Sequence, residues 1–367
     1  MSWEENVRIV TPYTAGEQPK DPNIIKLNTN ECPYPPTPKV KEALKELEST
    51  TDRLRLYPDM NAARITRALS DYYQVDPDQV YVGVGSDDVL SMSFLTFFTS
   101  GKRVLFPDIT YSFYDVWADL YRIPYTAVPL RDDFTIDPEN YIPGSDRFAA
   151  EGETLGGIIF PNPNAPTGVE LPLSLVEKIL AANPDIPVIV DEAYVDFGAE
   201  SALSLLPKYE NLLIVQTFSK SRAMAGLRIG FAIGNKKMIR YLTDVKFSFN
   251  SYTMNLPSIV MAEAAAKDAE YFHSLTARII KTREQFKKDL TALGFVYPDS
   301  KTNFVFARHP KVPAGELFKD LRAQGIVVRY FDKPRISEYL RITVGTDEQM
   351  AAVIAALRKI LAEKGVL

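Results

Sequence analysis

The sequence is poor in the residues that cross-link chains or bind transition metals. Its single cysteine, Cys32, cannot form an intramolecular disulfide. It has only two histidines, His273 and His309, which disfavours a zinc site built from His and Cys. A catalytic triad would have to use one of these histidines, and neither has a nucleophile motif beside it. We therefore expect no bound metal and no chemistry centred on histidine.

Long apolar runs and an excess of positive charge are also missing. No segment approaches the roughly 18 consecutive apolar residues that a membrane-spanning helix needs. The N-terminus is acidic and lacks the apolar stretch of a signal peptide. The net charge of −5 provides no basic surface typical of nucleic-acid binding. The sequence therefore predicts a cytoplasmic protein that binds neither membrane nor nucleic acid.

Strand and helix patterns alternate over roughly residues 60–235. Short apolar runs at 104–106, 157–160, 188–190 and 212–215 are separated by segments of helical periodicity. This alternation is typical of a mainly parallel sheet with helices on both faces, so we predict an α/β fold. After residue 235 the pattern indicates a smaller α+β domain, in which a long helical region continues to about Leu293.

The length of 367 residues suits one large domain and one smaller domain. Residues 1–35 are rich in proline and asparagine and indicate an extended arm. We predict that residues 1–50 form this arm and a first helix, which join the small domain. Residues 51–250 are predicted to form the large domain, and residues 251–367 the small C-terminal domain.

The strongest chemical signal is the segment TFSKSRAMAGLRIG at positions 217–230. It places Lys220 among small hydroxylated residues between two apolar runs, with Arg228 about two helical turns later and no acidic residue between them. Upstream, Asp191 ends an apolar strand, and open α/β sheets place ligand chemistry at such carboxyl ends. Taken alone, Asp191 and Lys220 are equally well explained as a structural pair at two strand ends. Their neighbours instead indicate a site for pyridoxal phosphate.

A pyridoxal phosphate site has four requirements. It needs an amine that forms an imine, a carboxylate that keeps the ring nitrogen protonated, and a hydrogen bond to the ring hydroxyl. It also needs a phosphate cradle of backbone N–H groups, hydroxyls and an arginine. Candidates for these roles are Lys220 as the amine, Asp191 as the carboxylate and Tyr194 as the hydrogen-bond donor. The candidates for the phosphate cradle are Gly85, Ser86, Ser219 and Arg228. We therefore predict pyridoxal 5′-phosphate as the cofactor.

Several of these signals allow a second interpretation. Ser86 or Asp87 could simply cap the helix that follows the Gly85 turn. Tyr111, on a loop after a strand, could stack on a planar cofactor or belong to the core.

The segment PNPNAPTG at 161–168 predicts a rigid turn in which one X-Pro bond is cis.

Taken together, the motifs resemble those of fold-type-I aminotransferases, which use pyridoxal phosphate. The superfamily resemblance rests on DEAY at 191–194, PTG at 166–168 and the segment 217–230. Four further segments resemble histidinol-phosphate aminotransferases, which belong to the class II subgroup of this superfamily: TPY at 11–13, LNTNE at 27–31, YP at 57–58 and LRITVG at 340–345. The resemblance covers essentially the whole chain and implies a fold-type-I architecture.

The resemblance implies a role for each matching residue. Lys220 is similar to the Schiff-base lysine, Asp191 to the partner of the ring nitrogen, and Tyr194 to the tyrosine that bonds the ring hydroxyl. Further implied cofactor contacts are Gly85, Ser86, Asp87, Tyr111, Thr217, Ser219 and Arg228. Implied substrate contacts are Tyr13, Asn30, Arg329 and Arg341, with Arg341 on the anionic end. Tyr57 is similar to a tyrosine that reaches the neighbouring subunit's cofactor, which implies an obligate homodimer with shared active sites.

One position departs from the superfamily pattern. The usual motif has an asparagine before Pro-Thr-Gly that contacts the ring hydroxyl, whereas this chain has Ala165 there, preceded by Asn164. Either Asn164 makes the contact through a shifted turn, or Tyr194 makes it alone. We expect Asn164 to take over.

The resemblance implies transamination of L-histidinol phosphate with 2-oxoglutarate, which gives imidazole acetol phosphate and glutamate in histidine biosynthesis. Three alternatives stay open: an aromatic or broad amino-acid aminotransferase, a phosphothreonine-type decarboxylase on the same scaffold, and a binding module without chemistry. The complete set of lysine, aspartate, tyrosine and arginine argues against the last.

Overall fold

A seven-stranded sheet forms the centre of the computed structural model, which describes residues 2–14, 16–144 and 154–367. The strands in the described residues are β1 (Ile25–Lys26), β2 (Val80–Gly83), β3 (Val104–Pro107), β4 (Tyr125–Val128), β5 (Gly157–Pro161), β6 (Val188–Asp191), β7 (Leu212–Thr217), β8 (Gly230–Gly234), β9 (Phe304–Ala307), β10 (Ile326–Val327), β11 (Arg329–Tyr330) and β12 (Leu340–Thr343). The central sheet has the order β2-β8-β7-β6-β5-β3-β4. Only β8 runs antiparallel to its neighbours β2 and β7, so the predicted mainly parallel sheet is confirmed.

Helices cover both faces of this sheet. The described α-helices are α1 (Pro38–Glu48), α2 (Ala63–Tyr73), α3 (Ser86–Phe97), α4 (Tyr114–Tyr121), α5 (Leu173–Ala182), α6 (Lys236–Phe249), α7 (Leu256–Ala266), α8 (Ala269–Ala292), α9 (Ala314–Ala323) and α10 (Asp347–Glu363). On β7, Leu212 and Ile214 pack in one core and Leu213 and Val215 in the other. Because both faces are buried, the strand needs a continuous apolar run, which is the pattern that the sequence shows.

A second, smaller sheet lies in the C-terminal part of the chain. It has the order β11-β12-β9 and packs with α8, α9 and α10 around a separate hydrophobic core. The N-terminal segment reaches this part, since β1 pairs in parallel with β10. Side chains of α1 and α7, however, lie in a core of the large sheet. The division at residues 50 and 250 therefore stays a prediction.

The predicted long helical region is interrupted. It consists of α7 and α8, separated at Lys267 and Asp268. The Asp268 carboxylate accepts a hydrogen bond from Thr37, just before α1, and pairs with Lys39. The break therefore coincides with a tertiary contact to the start of α1. The end of α8 agrees with the prediction, because Gly294 adopts a left-handed φ of 83° just beyond it.

The described residues were also surveyed for membrane spans and metal sites. None of their helices combines the length and the apolar character that a bilayer crossing requires. No group of three or more His, Cys, Asp or Glu side chains in the same ranges is arranged to hold a metal ion.

Candidate active site

Two adjoining cavities open at the carboxyl ends of the central strands. The inner cavity has a volume of about 340 Å³, and the outer cavity about 700 Å³. Asp191 is the last residue of β6, and Lys220 follows β7 by three residues, so adjacent parallel strands deliver both to one edge of the sheet. The predicted residues that line the inner cavity are Ser86, Asp87, Tyr111, Asp191, Tyr194, Ser219, Lys220 and Arg228.

Lys220 lies where the two cavities meet, since it lines both. Its Nζ donates to the backbone carbonyl of Thr29 at 3.1 Å. It lies 5.9 Å from the centre of the Tyr194 ring. Within the described ranges no carboxylate forms an ion pair with Lys220. The amine is therefore anchored by one backbone contact and remains available to a ligand in either cavity.

Asp191 is a buried carboxylate that faces the same space. Only 4% of its surface is exposed, and burial raises its pKa to about 7. Hydrogen bonds from Tyr114 to Oδ2 (3.0 Å) and from the Ala193 N–H to Oδ1 (3.2 Å) act against this rise in pKa, whereas the charge of Asp87 adds to it. Asp191 thus lacks a cationic partner in the described protein, and a protonated ring nitrogen would supply one.

Tyr194 is oriented by contacts from the N-terminal arm and the small sheet. Its hydroxyl accepts a hydrogen bond from Asn30 Nδ2 at 2.9 Å, and its ring packs edge-on against Phe304. Asn30 Oδ1 in turn accepts a hydrogen bond from Thr343 at 3.1 Å. Asn30 also lines the outer cavity, but its amide is already engaged with Tyr194. A substrate contact by Asn30 stays a prediction.

The start of α3 forms a cradle suited to a phosphate. Gly85 is the N-cap residue with a φ of 86°, and no side chain caps the helix. The first backbone N–H groups of α3 therefore remain free to bind an anion. The alternative that Ser86 or Asp87 caps the helix is wrong, because the Asp87 carboxylate instead accepts from Tyr111 at 2.7 Å and pairs with Arg228 at 2.9 Å.

The described residues fit pyridoxal phosphate. Lys220 provides an amine, Asp191 an unpaired buried carboxylate, and Tyr194 a hydroxyl, all around one cavity. Ser219 and Arg228 line the same cavity beside the uncapped start of α3. Tyr111 lines it as well, with burial holding its pKa well above the usual range, so the phenol is neutral. The inner cavity thus offers the amine, the carboxylate, the hydroxyl and the phosphate cradle that the cofactor requires, together with an aromatic ring beside them.

The backbone behind the cradle is unusually close-packed. A Cβ atom on Gly230 would lie 2.3 Å from both the carbonyl carbon of Gly85 and the nitrogen of Ser86. No real Cβ tolerates such a contact with backbone atoms, so β8 and the start of α3 approach this closely only through glycine.

We therefore expect Gly230→Ala to lower the free energy of unfolding by about 2–3 kcal/mol and to weaken cofactor binding. The physical reason is that the start of α3 must shift away from β8. Denaturant unfolding and cofactor titration would measure the two effects. Gly315→Ala is the matched control, because its Cβ would meet only the Tyr330 side chain, at 3.4 Å or more, and Gly315 lines neither cavity. Equal stability and affinity of both variants would contradict the expected crowding.

The outer cavity is rich in unpaired positive charge. It is lined by Tyr13, Asn30, Arg329 and Arg341, as the sequence predicts, and also by Lys333. Arg341 donates from Nη2 to the Asn28 carbonyl at 2.9 Å, and its buried Nε has no partner among the described groups. Burial lowers the pKa of Arg341. Across β11 and β12 Arg329 stands opposite Arg341, so this wall is suited to an anionic group.

Four predicted cofactor contacts lie away from the cavity surface, and the fourth, Asn164, is described separately below. Gly85 lies behind Arg228, since a Cβ atom added to Gly85 would lie 2.6 Å from Nη2 of Arg228. Thr217 Oγ1 accepts from the Ser219 N–H and donates to the Ile229 carbonyl, so it orders the lysine segment. Tyr57 is 81% exposed and stacks on Tyr252, and it lines neither cavity. Its contact with a neighbouring subunit stays a prediction.

Asn164 is held in its turn by contacts of its own amide, and its expected contact with the ring hydroxyl stays a prediction. Its Nδ2 donates to the carbonyl of Ile109 and to Thr167 Oγ1, both at 2.9 Å, and the residue lines neither cavity. Ala165 lines both instead. Two cis peptide bonds, before Pro163 and Pro166, shape this turn. Asn164 therefore holds the loop through Nδ2, while its buried Oδ1 has no hydrogen-bond partner among the described residues.

Some residues of the site could not be identified from the sequence. Tyr114, which donates to Asp191, is part of an aromatic helix start without any motif. Lys333 lines the outer cavity from a short loop after β11. Arg335 lines it too and pairs with Asp108 at 2.9 Å, joining the small-sheet region to the loop after β3. Only their placement in the fold reveals them.

Comparison with known proteins gives consistent matches. The model of the family described as aminotransferase class I and II matches residues 22–357. A histidinol-phosphate aminotransferase of Lactococcus lactis subsp. cremoris (strain MG1363) is 49% identical over 99% of both chains. One from Marinomonas sp. (strain MWYL1) is 52% identical and covers 97% of this chain and 98% of its own length.

Among solved structures, histidinol-phosphate aminotransferase from Sinorhizobium meliloti in complex with pyridoxal-5′-phosphate has a TM-score of 0.83. The two chains are 23% identical, and the match covers 93% of this chain and 91% of that one. At this level of identity the likeness shows the shared fold.

Proposed function

The chain belongs to the class I and II aminotransferase family, and from that premise we propose that it transfers the amino group of L-histidinol phosphate to 2-oxoglutarate. The products are imidazole acetol phosphate and glutamate. The observation that carries this proposal is full-length identity of about 50% to relatives that bear the name of this enzyme. The cationic wall of the outer cavity supports it, because one substrate carries a phosphate and the other two carboxylates. We also propose that it acts in the cytoplasm.

Pyridoxal phosphate is the cofactor of this enzyme. When bound, it supplies a carbonyl that carries the amino group and a ring that stabilises negative charge at the substrate α-carbon. Ser86, Ser219 and Arg228 would hold its phosphate, and Tyr111 would flank its ring. Asp191 would face its ring nitrogen and hold a proton there, since a buried carboxylate without a counter-charge favours a neighbouring cation.

Lys220 is positioned to move the proton of the reaction. Its Nζ borders both cavities, so it can reach a cofactor in the inner one and a substrate α-carbon at their junction. As a free amine it can take a proton from that carbon and later return it, acting as general base and then general acid. The 3.1 Å contact with the Thr29 carbonyl limits where the amine can swing.

The outer cavity would orient the substrates by charge. The Arg341 guanidinium donates to the Asn28 carbonyl, and its central carbon lies 5.4 and 5.5 Å from the ring centres of Phe304 and Phe331. These contacts fix the orientation of the guanidinium group, which can bind an anion through two N–H groups. Arg329 and Lys333 add two further cations that form no ion pair within the described ranges. We propose that these residues, with Tyr13, bind the phosphate of histidinol phosphate and the carboxylates of 2-oxoglutarate in turn.

The experiment that tests this function is a comparison of amino donors with the cofactor-loaded enzyme. Initial rates are measured with 2-oxoglutarate and either histidinol phosphate, histidinol, phenylalanine or phosphothreonine. We expect a kcat/KM for histidinol phosphate at least about 100-fold above that for histidinol, because a desolvated phosphate–arginine contact is worth several kcal/mol. No turnover of histidinol phosphate would sink the proposal.

A broad aromatic aminotransferase is the second candidate, and one observation favours it. Tyr13 stacks on Phe113 at 4.1 Å, and both line the outer cavity beside Phe331. Such a wall accepts a phenyl ring as readily as an imidazole ring. Equal kcat/KM for phenylalanine and histidinol phosphate would establish this alternative. Release of CO2 from phosphothreonine without any 2-oxo acid would instead establish a decarboxylase.

Arg329→Gln is expected to reduce recognition of the donor phosphate. We expect kcat/KM for histidinol phosphate to fall by about 10- to 100-fold, since hydrogen bonds to charged groups contribute about 1.5–3 kcal/mol. The value for histidinol should change by less than about threefold, because this donor carries neither a phosphate nor a carboxylate. Arg358→Gln on the exposed side of α10 removes the same charge away from the cavities and serves as control. A uniform loss for both donors would argue against a phosphate contact.

We further propose a homodimer in which each active site uses a residue of both subunits. Tyr57 and Tyr252 stack on each other at the surface, and Leu54, Leu56 and Phe249 are also exposed. Tyr57 lines neither cavity of its own chain, so it is free to serve a second copy.

A complementation experiment tests the shared site. Tyr57→Ala and Lys220→Ala subunits, each defective alone, are mixed under conditions that allow subunit exchange. A hybrid dimer would contain one site with both native residues, so activity should reappear on mixing. Light scattering gives the mass of the particle. A monomer, or no recovery after proven exchange, would contradict the proposal.

A further inference from the structure

The carboxylate of Asp191 is held from behind by a tyrosine that never reaches the cavity. Tyr114 is fully buried at the first turn of α4, and its hydroxyl donates to Asp191 Oδ2 at 3.0 Å. The other oxygen, Oδ1, accepts from the Ala193 N–H at 3.2 Å. Each oxygen thus has one donor on the protein side, and the carboxylate is directed towards the inner cavity that Asp191 lines.

The ring of Tyr114 is locked in place by other aromatic side chains. Phe94 and Phe106 have ring centres 6.0 and 5.8 Å away, and Tyr111 meets it edge-on at 6.0 Å. Tyr111 itself lines the inner cavity. The packing therefore links the wall that would flank the cofactor ring to the group that orients Asp191. A phenol fixed in this way loses little entropy when it donates its hydrogen bond.

From these contacts we propose that Tyr114 is a positioning residue, which orients the Asp191 carboxylate so that it binds the protonated ring nitrogen of pyridoxal phosphate. The apolar surroundings make this contact necessary. A buried carboxylate without donors would take up a proton or turn away, and either change would weaken its bond to the ring nitrogen. The proposal concerns cofactor binding and does not depend on the amino donor.

The hydrophobic core on the opposite face of the central sheet provides a comparison residue. Tyr141 is as deeply buried, but its hydroxyl has no hydrogen-bond partner in the described residues. Removing that hydroxyl changes a buried tyrosine without touching Asp191. Tyr141→Phe therefore controls for the general effect of deleting a buried phenol oxygen.

The test measures cofactor affinity in the absence of any turnover. Cofactor-free wild type, Tyr114→Phe and Tyr141→Phe are titrated with pyridoxal phosphate and with an analogue in which C–H replaces the ring nitrogen. Tryptophan fluorescence reports binding, since Trp117 packs close to Tyr111 and Tyr114. Thermal unfolding of each protein shows that the variants are folded.

We expect Tyr114→Phe to lower the affinity for pyridoxal phosphate by about 10- to 100-fold, as one hydrogen bond to a charged group implies. Affinity for the C–H analogue should change by less than about threefold, because that ligand offers Asp191 no N–H to bind. Tyr141→Phe should leave both affinities within about twofold of wild type. An equal loss for both ligands would overturn the proposal, because a purely structural role of Tyr114 predicts that result.

A second variant keeps the test decisive if Tyr114→Phe does not fold. Tyr114→His retains a ring N–H that can donate towards Asp191. It should bind pyridoxal phosphate more tightly than the C–H analogue, as the wild type does. Equal affinity for the two ligands in a folded Tyr114→His protein, with Tyr141→Phe retaining the preference, would overturn the proposal, because a ring N–H that can donate to Asp191 should preserve it. Full preference in a variant without any donor, such as Tyr114→Leu, would overturn the proposal.

Discussion

Lys220→Ala is expected to abolish multiple turnover, lowering kcat by about 10⁴-fold or more. The variant loses both the amine that bonds the cofactor and the group that moves the α-carbon proton. Nothing in the described surroundings can replace it, since the nearest partner of its Nζ is a backbone carbonyl. Steady-state rates with 2-oxoglutarate and histidinol phosphate measure the effect, and the visible absorbance of the cofactor-loaded protein should change as well.

Lys220→Arg is the matched control for this variant. It keeps the positive charge and much of the side-chain length, but a guanidinium neither forms the bond nor releases a proton at neutral pH. We expect it to be as inactive as Lys220→Ala while still binding the cofactor non-covalently. Turnover close to that of the wild type in either variant would show that Lys220 is not the reacting amine.

Asp191→Asn should have the second-largest effect, lowering kcat/KM by about 10²- to 10³-fold. Removing one partner of a buried charge pair costs about 3–5 kcal/mol, and here the other partner is the protonated ring nitrogen. Because asparagine has the same shape, Tyr114 can still donate to the side-chain oxygen. Steady-state kinetics and cofactor titration should both show the loss. Unchanged kinetics would mean that the charge of Asp191 is not used.

The same variant gives a pH prediction for the cofactor-free protein. Burial raises the pKa of Asp191 from 3.8 to about 7. Between these values the folded protein binds a proton that the unfolded chain does not, so stability falls as the pH rises. Asp191→Asn should therefore gain stability relative to wild type, by up to about 4 kcal/mol from pH 4 to pH 8. Denaturant unfolding across this range checks the sign.

Glu192 does not confound that comparison. Its pKa is also raised to about 7 by burial, and it accepts hydrogen bonds from Ser201, the Ala202 N–H and Gln216. It is unchanged in both proteins, so its contribution cancels in the difference. A wild type that gains stability over Asp191→Asn as the pH rises would contradict the assigned burial.

The central sheet and its chemical centre could be predicted because their causes are local. Doubly buried strands need continuous apolar runs, so β5, β6 and β7 are visible in the sequence itself. A polar residue at the end of such a run must face the edge of the sheet, which places Asp191 and Lys220 together without any knowledge of the packing. The same reasoning found the glycine turn before α3.

Other features depended on contacts between distant parts of the chain. Arg341 reaches the site only because β12 pairs with β9 and β11, and the arm reaches it only because β1 pairs with β10. The contact expected of Asn164 stays a prediction, because the Ile109 carbonyl accepts from its amide nitrogen and the residue lines neither cavity. No local pattern reports such competition between hydrogen-bond partners.

The sequence by itself therefore determined the α/β class and the cofactor, and it predicted Lys220 as the reacting amine and Asp191 as the carboxylate that serves the ring nitrogen. Tertiary structure alone decided that Lys333 and Arg335 join the wall of the outer cavity, which tyrosine stands behind Asp191, and how the turn at residues 161–168 is held. The physical reason is the range of the forces involved. Backbone preference and burial act on neighbours in the chain, whereas the direction of a buried polar side chain is set by whichever partner the packing of distant segments brings within hydrogen-bond reach.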